Sequence, residues 1–162
     1  MMTSRSKNPA RPITVCMLAL SAILSVFTIV PSSALSDEEP ARLRSRTVRI
    51  PASEPWIGTD FILTEGDEVV IQASGKAATV PETFSGPNGQ PYHCNDSCSF
   101  PEGQFGQLIA KIGIDGRPFP IGEKSTFASD ADGELFLGVN DCCNWNDNWG
   151  AFDASISAAS RR

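Results

Sequence analysis

Residues Gly133 to Ser157 read GELFLGVNDCCNWNDNWGAFDASIS, a polar loop between two alternating segments. Leu135, Leu137 and Val139 lead in on one face; Phe152, Ala154 and Ile156 lead out, with Asp153, Ser155 and Ser157 opposite. Apolar residues two apart place one face of a strand against a core. Between the strands, Asp141, Asn144, Asn146, Asp147 and Asn148 supply five side chains ending in an oxygen acceptor. Hard cations such as calcium take about 6 to 8 oxygens from carboxylates, amides, carbonyls and water, so the loop has the donor chemistry of a cation cage. It is not an EF-hand: counting from Asp141, the Gly of the sixth position is missing, and the twelfth residue is Phe152 rather than Glu. The other reading is an Asn/Asp-rich β-turn, because these side chains bond their own backbone and tolerate the left-handed region. Spacing alone leaves both open.

The rest of the chain repeats the strand-and-turn pattern. Ser125–Ala128 and Glu134–Val139 flank a turn at Asp130–Gly133, and Leu108–Ile114 alternates ahead of Asp115-Gly116-Arg117-Pro118. Phe61–Leu63 and Val69–Ala73 flank Gly66-Asp67, which predicts a hairpin. Thr47–Ile50 starts the first strand, and Ala151–Ser157 is the last. Gly75 to Pro101 reads as a long irregular loop that holds Gly86-Pro87-Asn88-Gly89, the sole Tyr (Tyr92), the sole His (His93), Cys94 and Cys98. Loops of this length are functional or disordered, and these residues predict an ordered, functional one. There is no amphipathic helix and no internal repeat. Many short strands with Gly, Pro and Asp turns predict an all-β domain, an antiparallel β-sandwich of jelly-roll-like type.

Residues 1–36 read as a secretory signal peptide. Arg5, Lys7 and Arg11 give a basic start, Ile13–Val30 is an uncharged apolar run, and Ala34 and Ser36 are small residues at a cleavage site. The alternative is an uncleaved anchor, since the run could just span a bilayer. Residues 37–46 are predicted as a flexible charged leader, and 47–158 as the domain. Either signal reading places the domain outside the cytoplasm, secreted or periplasmic. From Asp37 onward the chain has 10 Lys and Arg against 19 Asp and Glu, a net charge of 10 − 19 = −9. That excess argues against nucleic acid and anionic membranes as partners.

Four cysteines follow the apolar run: Cys94, Cys98, Cys142 and Cys143. An even count in an exported domain predicts disulfides. One connectivity pairs Cys94 with Cys98 and makes Cys142–Cys143 a vicinal bridge; the other two staple the His93–Cys98 segment to the acidic loop. A zinc site of His93 and these cysteines is the competing reading, disfavoured by an oxidising compartment. An enzyme needs a nucleophile, base and orienter around a pocket, and oxidised cysteines are not nucleophiles. The chain therefore reads as no enzyme.

An ordered series of motifs then carries a resemblance. Gly66 to Gly75 has the form Gly-Asp-x-Val-x-Ile-x-Ala-x-Gly; Gly86 to Gly89 reads Gly-Pro-x-Gly; Phe105 to Gly113 reads Phe-Gly-x-Leu-Ile-x-Lys-Ile-Gly. A Gly-x-Leu-x-Leu-x-x-Asn-Asp strand and a closing Asp-Asn-x-Gly-x-Phe complete the set. Over about Val48 to Ser157 the chain resembles the LecA-like, PA-I galactophilic lectin domains. The resemblance implies a β-sandwich that binds one calcium ion, with the sugar coordinating that ion through its hydroxyls. By position it implies Asp141 as the main carboxylate ligand, Asp147 and Asn148 as paired ligands before Gly150, a carbonyl from Thr79, and another from Asn144 or Trp145. It implies sugar contacts from His93 and Asp96, with Asp141, Cys142 and Asp147 at the same mouth. Trp145, Trp149 and Tyr92 are candidates for an aromatic platform, with Trp145 expected exposed and Trp56 expected in the core.

Cys142 and Cys143 depart from the family pattern beside the ligand Asp141, and Asp96 replaces an amide. The function implied is a non-catalytic, calcium-dependent carbohydrate-binding domain for a galactoside or related glycan, with a homo-oligomer left open. The alternative is a disulfide- and calcium-stiffened structural or protein-interaction module without sugar binding.

Overall fold

The structure, a computed structural model, describes residues 42–160. The signal peptide (or anchor) of residues 1–36 and residues 37–41 of the leader lie outside the described residues. In chain order the strands are β1 (Leu43–Pro51), β2 (Ile57–Leu63), β3 (Glu68–Val80), β4 (Thr83–Ser85), β5 (Leu108–Ile112), β6 (Phe119–Pro120), β7 (Lys124–Ala128), β8 (Gly133–Val139) and β9 (Trp149–Ala159). One sheet has the order β1-β9-β3-β4 with β7 also on β3; the other has the order β2-β8-β5-β6. Every strand pair is antiparallel. The expected all-β sandwich is present.

The alternation that predicts strands also selects the inner faces. Ile50, Val69, Ile71, Phe152, Ala154 and Ile156 from one sheet meet Phe61, Leu63, Leu108, Ala110, Leu135, Leu137 and Val139 from the other in a single buried cluster. β5, between β8 and β6, is buried at all five positions. Eight of the largest wholly buried side chains are Ile or Leu, which pack a core without polar atoms to satisfy.

Three boundaries differ from the sequence reading. The leader is shorter, because β1 begins at Leu43, which pairs with Ala159 at the far end of β9. The arginines of β1 have partners. Arg44 donates to the buried Asp67 carboxylate at 2.7 Å and to the Ile62 carbonyl at 2.6 Å, and its guanidinium lies over the Phe61 ring. Arg46 pairs with Asp60 and Arg49 with Asp153.

The hairpin predicted across Gly66-Asp67 does not form. β2 pairs with β8, and β3 pairs with β9, β4 and β7, so the two segments belong to opposite sheets. Both bury an apolar face, and the turn carries the chain across the core instead of along one sheet. Asp67 holds that crossing by accepting from the Thr64 amide and from Arg44.

The irregular region predicted from Gly75 begins later. β3 continues to Val80 and β4 follows at once. Gly75 sits at φ +106°, and a Cβ there would lie 2.6 Å from the Ala151 carbonyl oxygen, so glycine lets β3 pass close to β9 without breaking the strand.

Candidate functional site

β8 and β9 belong to different sheets, so the Asn140–Asn148 connection spans one end of the sandwich. A single 3-10 turn, Trp145–Asp147, occupies its middle. Asn144 caps that turn by accepting from the Asn146 amide at 3.3 Å. Gly150 follows at φ +81°, and a Cβ there would come within 2.3 Å of the Lys76 carbonyl oxygen. Only glycine lets β9 start this tightly against β3.

Asp141 and Asn148 form the centre. Asp141 is 3% exposed and Asn148 6%. One carboxylate oxygen of Asp141 accepts from the Cys142 amide at 2.7 Å, and the other accepts from Asn148 Nδ2 at 2.8 Å. Asn148 Nδ2 also donates to the Ala52 carbonyl at 3.0 Å. Both partners can only accept, which settles the orientation of this amide. Asn148 Oδ1 is then turned the other way, buried and without a hydrogen-bond partner. A buried carbonyl oxygen without a donor costs about 1–3 kcal/mol, and a bound cation or a water would satisfy it.

The electrostatics agree. Burial pushes the Asp141 carboxyl above its ordinary value; the Asn148 and Cys142 donors oppose this, and the nearby negative charge of Asp147 adds to it. Asp141 thus has a second carboxylate near it and no cationic side chain hydrogen-bonded to it among the described residues. No three His, Cys, Asp or Glu side chains are grouped as metal ligands there. The oxygen donors along this connection are a mixed set of carboxylate and amide.

Thr79 lies buried near the end of β3, one step beyond the Ala78–Trp149 pair and so level with Asn148. Asp147 and Asn144 are exposed on the turn itself.

The long loop packs onto the same end. Asn140 is completely buried. Its Oδ1 accepts from the Phe100 amide at 2.9 Å, and its Nδ2 donates to the Phe100 and Gln104 carbonyls at 2.8 and 3.0 Å. The Ser99 amide donates to the Asp141 carbonyl at 3.2 Å. Within the loop, Gln90, Cys94 and Phe105 bond backbone to backbone with Phe105, Gly103 and Tyr92, a small irregular hairpin. His93 and Asp96 sit on its exposed side. His93 Nδ1 bonds the Glu102 carbonyl at 3.0 Å, the ordinary role of a loop histidine. The Asn140 clamp was missed by the sequence reading, and nothing in the alternation around it marks this Asn as buried.

Cys94 and Cys98 form a disulfide, while Cys142 and Cys143 are free thiols. The two stapled connectivities are therefore corrected, and the expected second bridge is absent. The bridge closes a tight loop that the Asn95 side chain organises by accepting from the Ser97 amide. Asn95 Nδ2 also reaches Cys142 Sγ at 3.8 Å, so this loop meets the acidic loop without a covalent link. Zinc by these cysteines loses two of its ligands to the bridge. Trp145 is half-buried with its Nε1 enclosed, not exposed as expected; Trp149 is the exposed one, at 68%. Trp56, expected in the core, is half-buried, with the Lys111 ammonium over its ring. A cavity of about 440 Å³ lined by Phe100, Arg117, Phe119 and Phe127 shares no residue with the Asp141–Asn148 centre.

No family model matches the chain. No curated protein matches it either. Among solved structures it is similar to a chain described as "EclA N-terminal domain; PllA-like lectin", with TM-score 0.57 and 22% identity, covering 69% of this chain and 94% of that one. The chain shares the fold of that domain. On this lectin fold, nearly the whole of the compared domain is matched, so the shared part is the sandwich rather than an isolated hairpin.

Proposed function

We propose that this domain is a non-catalytic, calcium-dependent carbohydrate-binding module of galactophilic-lectin type, working outside the cytoplasm. The observation that carries the reading is the orphaned, buried Asn148 Oδ1 beside a buried Asp141 carboxylate that receives only neutral donors. A buried carboxylate without a cation is costly, and Asp147 makes this one costlier. Asp141, Asp147 and Asn148 would hold the ion, with Asn144 and Thr79 completing the oxygen set. Calcium supplies a residual positive charge at which vicinal sugar hydroxyls can replace water.

The chain's own residues do the rest. Ala52 and Asp141 fix the Asn148 amide, so its oxygen is aimed before any ligand arrives. Asn140 holds the long loop, with His93 and Asp96 on its rim, against the same end of the sandwich. The likeness to a lectin supports binding over catalysis. So does the Cys142 thiol, which desolvation and the thiol and charge of its neighbours Cys143 and Asp141 push above its ordinary value, away from the reactive thiolate.

The test is calorimetric titration with calcium of wild type and Asp141→Ala, followed by galactosides with and without chelator. Wild type is expected to bind calcium saturably and then sugar in a chelator-sensitive way, and Asp141→Ala to lose both. Equal calcium affinity in the variant would reject the site. Calcium binding with no sugar binding would leave the alternative, a calcium-stiffened interaction module.

A further inference from the structure

Trp149 and Phe84 are the outer pair of one row across the larger sheet. Trp149 on β9 and Phe84 on β4 are each paired with Ala78 on β3, one from each side. Directly paired residues point to the same face of a sheet. That face is the outer one. Ala77, the neighbour of Ala78 in the strand, belongs to the core cluster, and Ala78 does not. Yet Ala78 is only 1% exposed, while Phe84 is 54% and Trp149 68% exposed. The two rings therefore roof the Ala78 methyl and turn their other surfaces to solvent. With neighbouring strands about 4.8 Å apart, the two Cα atoms stand roughly 10 Å apart, so the two exposed rings form a short aromatic strip on one face.

An exposed aromatic strip of this kind can hold a flat apolar face of a ligand. Its position says which. Trp149 is bonded directly to Asn148, and Ala78 directly precedes Thr79, so the strip begins where the Asp141–Asn148 centre ends. A pyranose ring carries its hydroxyls at the edge and presents C–H groups on its faces. The centre offers oxygens and charge for hydroxyls; the strip offers chiefly flat aromatic surface, with the Trp149 indole N–H at its edge.

The geometry points to a second-sugar subsite: Trp149 and Phe84 stack the C–H face of the saccharide residue that follows the terminal sugar held at the Asp141–Asn148 centre. The inference rests on the carbohydrate reading above and extends it from a monosaccharide to an oligosaccharide chain. Trp149 and Phe84 are then specificity residues that select glycan length and linkage.

The experiment compares methyl galactosides with galactose-terminated disaccharides of α and β linkage, in calcium, by calorimetry. The proteins are wild type, Trp149→Ala, Trp149→Phe, Phe84→Ala and Asp141→Ala. Wild type is expected to prefer at least one disaccharide by about tenfold, the worth of a good aromatic contact. Trp149→Ala and Phe84→Ala should lose that preference and keep monosaccharide affinity within about twofold. Trp149→Phe, which retains a ring, should keep most of it. Asp141→Ala should lose both sugars. A wild type with no disaccharide preference overturns the subsite, as does a preference that survives both alanine variants. Equal loss of monosaccharide and disaccharide in Trp149→Ala also overturns it, since the residue would then act through the fold. A wild type that binds neither sugar overturns the carbohydrate reading itself, and the subsite with it.

Discussion

Replacing Asn140 by alanine removes the one side chain that clamps the long loop to the end of β8. Asn140 is 0% exposed and makes three side-chain hydrogen bonds, of 2.9, 2.8 and 3.0 Å, all to the backbone of Phe100 and Gln104. Each bond contributes about 1 kcal/mol net, and each backbone group left unpaired costs about 1–3 kcal/mol unless water reaches it. Water will reach some of them, because the loop lies at the surface. The expected loss is about 3 kcal/mol, near the upper end for single substitutions. For a folded part of this size, roughly 4 °C of melting temperature accompanies each kcal/mol, so the midpoint should fall by about 12 °C.

The assay is urea unfolding followed by fluorescence, with limited proteolysis of residues 86–107 as a local readout. The backbone bonds from Asn140 N to the Gln107 carbonyl and from the Gly106 amide to the Asn140 carbonyl remain, so cleavage should rise first near Phe100 rather than at β5. Asn140→Asp sharpens the test. It keeps the size and the acceptor but turns an oxygen toward two carbonyls, so it should destabilise at least as much as alanine at neutral pH. A loss below about 1 kcal/mol in Asn140→Ala, or a wild-type-like Asn140→Asp, would refute the clamp.

Two further outcomes follow from buried carboxylates. The folded-state pKa of Asp141 is raised, chiefly by burial. Between the unfolded value of about 4 and that raised value, the folded state binds more protons than the unfolded state, so without calcium this group lowers stability as pH rises through that window. Urea midpoints of wild type relative to Asp141→Asn should show that loss, and saturating calcium should remove it; a wild-type difference that grows with pH instead refutes the sign. Arg44→Met strands the Asp67 carboxylate, which is only 2% exposed; because Arg44 itself is one-third exposed, the loss should be about 1–3 kcal/mol. Adding Asp67→Asn should recover part of it, and a double variant no better than the single one would show that Asp67 is held by other groups.

The sequence by itself determined the layers. Leu135, Leu137 and Val139 alternate, as do Phe152, Ala154 and Ile156, and the inner face of each strand was legible because strand periodicity is a local property. The polar character of the Asn140–Gly150 connection was legible for the same reason, as was its donor chemistry. Pairing was not. The chain at Gly66-Asp67 has a turn signal, but whether the next strand returns alongside β2 or crosses to the opposite sheet depends on which other strands offer edges, and β9 and β8 took them. The leader became strand for a similar reason: β9 runs to Ala159 and leaves an edge that Leu43 to Arg46 fills. The disulfide joins Cys94 to Cys98 and leaves Cys142 and Cys143 as free thiols, an outcome that the spacing alone left open.

Most of the site was decided only by tertiary structure. Asn140, Asn144, Asn146 and Asn148 look alike in one dimension. The fold buries Asn140 against the long loop and Asn148 against Ala52, leaves Asn146 on the surface and makes Asn144 a cap. Which of two identical amides holds a loop and which keeps a buried oxygen bare depends on partners 36, 40 and 96 residues away, and no local pattern encodes them.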